Sequence, residues 1–189
     1  MRIGVFGANI EDVPEDVKEK ARQIGREIAK RNHAVVTGAC WGLPYLAVMA
    51  ASELGGETIG FSPATDMKSH RKVFRYPTSG FSRLIFIPKE YEHGDKEKIC
   101  YKYRNVSSVA SIDAAVIING RSGTLNEFLV AFDAGKVIGI LEGSGGVADG
   151  LIGSVLDVAK KDTGSEVIFD FDPASLIERI TGVSNYPPK

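Results

Sequence analysis

Apolar and polar positions alternate along this chain in short blocks, and the block with the sharpest edges is Ala114-Ala115-Val116-Ile117-Ile118. A continuous apolar run rich in β-branched residues fits a strand buried on both faces. Asn119 to Glu127 follow, rich in glycine and hydroxyl side chains. Phe128-Leu129-Val130-Ala131-Phe132 then runs unbroken to Gly135, which predicts a helix ended by a glycine.

The same strand-then-helix rhythm repeats on either side. Arg2 to Gly7 reads as a first strand with the turn Ala8-Asn9 behind it. Pro14 opens a helix whose Val17, Ala21, Ile24, Ile28 and Ala29 share one stripe, closed by Asn32-His33. Ala34–Thr37 is a second strand, followed by the loop Gly38-Ala39-Cys40-Trp41-Gly42. Leu43 to Leu54 is an alanine-rich helix expected to pack on both sides, stopped by Gly55-Gly56. Thr58–Phe61 is a third strand, broken by Ser62-Pro63.

From Ala64 to Arg83 no period holds. The segment carries Lys68, His70, Arg71, Lys72, Arg75 and Arg83 around Phe74, Tyr76 and Phe81, which fits a lid or an interface loop. Leu84–Ile87 is a fourth strand stopped by Pro88, and a helix spans Lys96 to Ser111. Beyond the central block come a strand at 136–141, a flexible loop at 142–146, a helix at 151–160, a strand at 167–169 and a helix at 173–180. A loose tail at 184–189 ends the chain. Six or seven short strands alternating with helices predict an α/β protein: a Rossmann-like parallel sheet with helices on both faces, built as a single domain over 1–189.

Composition narrows the function. With 189 residues and 43% hydrophobic content, the chain can bury a proper core. Its 23 basic and 24 acidic residues nearly cancel, so no nucleic-acid partner is expected. Cys40 and Cys100 have no metal spacing and fit a reducing compartment. The chain starts directly in a strand-like run rather than a leader, and no apolar stretch could span a membrane. A cytoplasmic protein without membrane contact is expected.

Candidate chemistry gathers at the turn from Asn119 to Glu127. Where a strand turns into a helix, free N–H groups and the helix dipole favour an anion, most often phosphate. Gly120-Arg121-Ser122-Gly123-Thr124 is therefore the candidate cradle, with two glycines for close approach and the Thr124 hydroxyl at the first turn. Such a turn also serves simply to reverse a chain. Glu127 lies one turn further in, where a carboxylate is better placed to act on a sugar or base than to hold a phosphate. Ligands of such sheets sit beyond the carboxyl ends of the strands. That rule brings Ala8, Asn9, Gly38 and Gly42 to the same edge. Trp41 nearby fits either stacking on a ring or burial in the core.

Several classes drop out. Gly4-Val5-Phe6-Gly7 is not the dinucleotide fingerprint, no P-loop is present, and no serine stands in a nucleophile elbow. His33, His70 and His93 share no ligand spacing, so no metal site is expected.

Gly120-Arg121-Ser122-Gly123-Thr124-Leu125-Asn126-Glu127 resembles the P-G-G-x-G-T-x-x-E motif of the LOG (Lonely Guy) family, often labelled "lysine decarboxylase". Arg104-Asn105 falls in the register of that family's Arg-Lys pair, and Asp113 matches an acidic residue before its central strand. Thr37 to Leu43 resembles its G-G-x-x-G-L-M segment, and Ala50 to Pro63 the A-G-G-x-V-I-G-V-x-P continuation. The resemblance covers roughly residues 1 to 180.

It implies a phosphoribohydrolase that cleaves the N-glycosidic bond of nucleoside 5′-monophosphates and needs no cofactor. Gly120, Gly123 and Thr124 would hold the 5′-phosphate, and Glu127 and Arg104 would be the catalytic pair. A homodimer or higher homo-oligomer is also implied. No lysine is marked as a pyridoxal anchor, so decarboxylation is not expected. Asn119, Arg121 and Asn105 depart from the motif's proline, glycine and lysine. These departures, with the basic loop, resemble a sister group that includes molybdenum-cofactor carriers. Arg121 and Arg104 would there be anion contacts for a phosphate-bearing pterin such as molybdopterin, bound without turnover.

Overall fold

A computed structural model of the chain describes residues 1–9 and 13–183, and the tail expected at 184–189 lies outside the described residues. In chain order the elements are β1 (Arg2–Gly7), α1 (Glu15–Lys30), β2 (Ala34–Thr37), α2 (Leu43–Glu53), β3 (Thr58–Phe61), α3 (Met67–Lys72) and β4 (Arg83–Ile85). The second half holds α4 (Glu97–Ala110), β5 (Ala114–Ile118), α5 (Ser122–Asp133), β6 (Val137–Leu141), α6 (Gly146–Gly150), α7 (Ile152–Ala159), β7 (Val167–Asp170) and α8 (Pro173–Gly182).

The strands form one sheet in the order β4-β3-β2-β1-β5-β6-β7, and every pairing is parallel. Helices cover both faces, as Rossmann-like sheets require to keep apolar strands from water. Side chains alternate across the sheet. Ile3 and Val5 of β1, with Ala114, Val116 and Ile118 of β5, pack beneath α1, α2 and α8. Phe6, Ala115 and Ile117 face the other way, towards Val109 of α4, Phe128 of α5 and Ile152 of α7. All five residues of β5 are fully buried. The alanines of α2 are explained by α1: Ala47 and Ala51 are fully buried in the layer where the two helices meet.

The basic segment differs from the expected irregular loop. Residues 67–72 form α3, started by Asp66, whose carboxylate accepts from the Ser69 N–H at 2.7 Å. His70 on α3 is fully buried between Ser62 Oγ (2.8 Å) and the Pro77 carbonyl (2.9 Å). The fourth strand is shorter than expected and shifted by one residue. Among the described residues β4 pairs with β3 alone, and its last partner is Phe61, beyond which Ser62-Pro63 turns away. The loop at 142–146 is also tied down: the Gly143 and Gly145 N–H groups donate to the Asp149 carboxylate at 2.9 and 2.6 Å.

Candidate functional site

β1 is the strand from which the chain winds in both directions, to β2 on one side and, later, to β5 on the other. Crevices open where connections diverge in this way, at the carboxyl edge of the sheet. A cleft of about 190 Å³ lies there. The end of β1 contributes Gly7, Ala8 and Asn9, and the loop after β2 contributes Gly38 and Cys40. α4 contributes Arg104 and Asn105, and the start of α5 contributes Arg121, Gly123, Thr124 and Glu127.

The turn into α5 is built on two left-handed residues, Asn119 (φ 56°) and Gly120 (φ 100°). Asn119 tolerates this backbone because its side chain is anchored. Its Nδ2 donates to the Ser144 carbonyl, its Oδ1 accepts from the Gly120 N–H at 2.6 Å, and its own N–H donates to Ser144 Oγ at 2.8 Å. The loop before α5 is thereby latched to the loop after β6. The Arg121 side chain at the N-cap of α5 makes no capping hydrogen bond, and the opening N–H groups of a helix have no intrahelical acceptor. A methyl group added at Gly123 would meet nothing within 4 Å, which leaves that side of the first turn open to the cleft.

Glu127 sits four residues after Gly123, on the same helix face. It is 7% exposed. Burial pushes its carboxyl up to about 7, against the pull of the Arg104 guanidinium and, more weakly, of Lys102. No hydrogen bond to the carboxyl contributes to that shift. Arg104 is itself buried, with Nη1 donating to the Gly38 carbonyl at 2.6 Å and its guanidinium 5.8 Å from the centre of the Tyr101 ring. Gly38 is required by this contact, since a Cβ there would lie 1.4 Å from Arg104 Nη1. Tyr101 in turn shares a 2.9 Å hydrogen bond between hydroxyls with Tyr76, which brings the basic segment against α4. Burial raises the Tyr76 hydroxyl far above its ordinary range.

Eight of the residues singled out from sequence therefore line one cleft: Ala8, Asn9, Gly38, Arg104, Arg121, Gly123, Thr124 and Glu127. Gly42, Gly120 and Ser122 are not in its lining. Gly120 shapes the turn, and its carbonyl accepts from the Val147 N–H at 3.0 Å. Ser122 is exposed at the first position of α5. Trp41 is not core: it is 49% exposed, packs edge-on against Tyr45 and donates from Nε1 to the Arg75 carbonyl at 2.9 Å. Asn105, which the resemblance places in the register of the family's lysine, also lines the cleft, and so does Cys40 of the glycine loop, which no motif marks as a site residue.

Among the described residues no helix is long and apolar enough to cross a membrane. A protein of Archaeoglobus fulgidus without an assigned function is 28% identical over 142 residues, 75% of this chain and 80% of its own. Among solved structures, TM1055 superposes with a TM-score of 0.79 at 20% identity, covering 96% of this chain and 99% of that one. The molybdenum cofactor binding protein of Rippkaea orientalis superposes with a TM-score of 0.73 at 23% identity, covering 96% of each. These likenesses establish the Rossmann-like fold. The model of the SLOG cluster4 family matches residues 1–177, nearly the whole chain, and the protein belongs to that family.

Proposed function

We propose that the cleft binds a nucleoside 5′-monophosphate and hydrolyses its N-glycosidic bond. One observation carries this reading: a buried carboxyl, Glu127, stands on the same helix face as the open first turn of α5, with a buried guanidinium beside it. The α5 turn and Arg121 take the phosphate, and the sugar then lies over Glu127. As the C1′–N bond breaks, its electron pair leaves with the base, which takes up a proton from solvent, and the proton that Glu127 later gains from the attacking water returns to solvent and closes the balance. Positive charge grows on the sugar, and the Glu127 carboxylate stabilises it. Water attacks C1′ and gives its proton to Glu127, whose affinity for a proton near neutrality suits the transfer. Arg104 holds part of the carboxyl population ionised for the first step.

Incubation with a panel of nucleoside 5′-monophosphates, assayed for free base and ribose 5-phosphate, tests the reading. Glu127→Gln is expected to lower the rate on the order of 100-fold or more while keeping the fold. No base release from any member of the panel would refute hydrolysis.

A second reading is favoured by Arg121, a cation at the cleft where the catalytic motif has glycine. It is carriage of a phosphate-bearing pterin without turnover, a ligand class suggested by the likeness to the molybdenum cofactor binding protein of Rippkaea orientalis. The first turn of α5 fits the phosphate of such a ligand. The cleft, about 190 Å³, is smaller than the roughly 300–1,000 Å³ of sites that enclose a drug-sized molecule, so the ring system would lie beyond its mouth. Thermal stabilisation by molybdopterin together with inert nucleotides would support carriage.

A further inference from the structure

α4 and α5 meet beside Glu127, and their contact leaves a polar atom unsatisfied. Asn105 Nδ2 donates to Asn126 Oδ1 at 3.0 Å, and in this orientation its own Oδ1 is left over. Asn105 is 2% exposed, and among the described residues that Oδ1 has no hydrogen-bond partner. The preceding Arg104 repeats the pattern, with Nε buried and unpaired. Both residues line the cleft, and Asn126 directly precedes Glu127. A sealed acceptor without a donor works against folding, and an apolar side chain would fill the same space without that penalty. Its partner is therefore to be sought in the bound state.

We propose that Asn105 Oδ1 accepts a hydrogen bond from a sugar hydroxyl of the ligand, so that the cleft selects ribose over deoxyribose phosphates. This rests on the nucleotide reading of the same cleft and deepens it. The group that meets Oδ1 must carry a hydrogen, which excludes phosphate and carbonyl oxygens because two acceptors repel. In a nucleoside 5′-monophosphate anchored at the first turn of α5, the part next to the phosphate is the ribose. Its hydroxyls donate to an acceptor and can also accept from a donor such as Arg104 Nε. One kind of ligand group thus answers both buried atoms.

Equilibrium binding of AMP, 2′-deoxyAMP and 3′-deoxyAMP tests the assignment. The full chain is used in its Glu127→Gln form, to stop turnover, with and without Asn105→Ala. At least one deoxy analogue is expected to bind about tenfold more weakly than AMP when Asn105 is present, and that penalty should fall to about twofold or less once Asn105→Ala is added. Equal binding of the three nucleotides to the Asn105 form overturns the assignment, as does a penalty that survives Asn105→Ala. Equal binding in the first comparison overturns the assignment even where Asn105→Ala fails to fold, and Asn105→Leu, of similar volume and without an acceptor, then carries the second comparison with the same two outcomes. Absence of binding by all three overturns the nucleotide reading and this proposal together. Equal binding overturns this proposal alone.

Discussion

At Glu127 burial and the neighbouring Arg104 pull the proton in opposite directions, and burial wins, leaving the carboxyl at about 7 instead of 4.5. The folded protein therefore binds more protons than the unfolded chain between those two pH values. The stability this confers is complete below about pH 4.5 and is lost as pH rises through 7, a loss of about 3 kcal/mol. Glu127→Gln should remove this slope. Urea melts at pH 5 and pH 8 are expected to converge in the variant, and parallel slopes in the two proteins would show that the carboxyl is not buried as described. Under the proposed function the ionised form stabilises the sugar cation, so kcat/KM should rise with pH through about 7 and level off above it. A profile flat across that range would remove Glu127 from the reaction. Gly38→Ala gives a third test, because the new methyl displaces the Arg104 guanidinium. It should weaken binding of a nucleoside monophosphate more than it lowers the melting temperature.

At the scale of elements, the turn from β5 into α5 depends on Asn119 in a way the LOG-like motif does not anticipate. Proline, which that motif carries at this place, holds φ near −65° and cannot adopt the +56° found here. Asn119→Gly keeps the backbone and loses the side-chain latch to Ser144, at a cost of about 1 kcal/mol. Asn119→Pro should cost clearly more, and equal denaturation midpoints would mean that the left-handed turn is dispensable. Behind the turn, Phe128 is fully buried against Phe132, and Phe128→Ala should lose about 3–5 kcal/mol by urea melt. β5 and α5 were legible in the sequence because a continuous apolar run and a long helical segment announce themselves. α3 was not. Its six residues carry no apolar stripe, and it exists because Asp66 caps it and His70 is held by Ser62 and Pro77.

On the scale of the whole molecule, the cleft joins what the chain order separates. Gly7 to Asn9, Gly38 and the start of α5 meet only because β1 stands between β2 and β5. The rule that ligands sit at the carboxyl edge was enough to gather those loops from sequence. The packing of Arg104 onto Gly38, the approach of Cys40 and the unpaired Oδ1 of Asn105 were not legible, since each depends on how α4 lies across the sheet. The seven strands of the described residues share one sheet, so ligand and fold should melt together. At a concentration 100 times its dissociation constant, a ligand should raise the unfolding free energy by about 2.7 kcal/mol and shift a single calorimetric transition. The pair Gly38 and Arg104 also constrains inheritance. A side chain at the first position and a guanidinium at the second cannot share the same space. Across descendants that keep this geometry the two positions should covary, with arginine retained only where glycine is, and with any gain of a β-carbon at 38 accompanied by a shorter residue at 104.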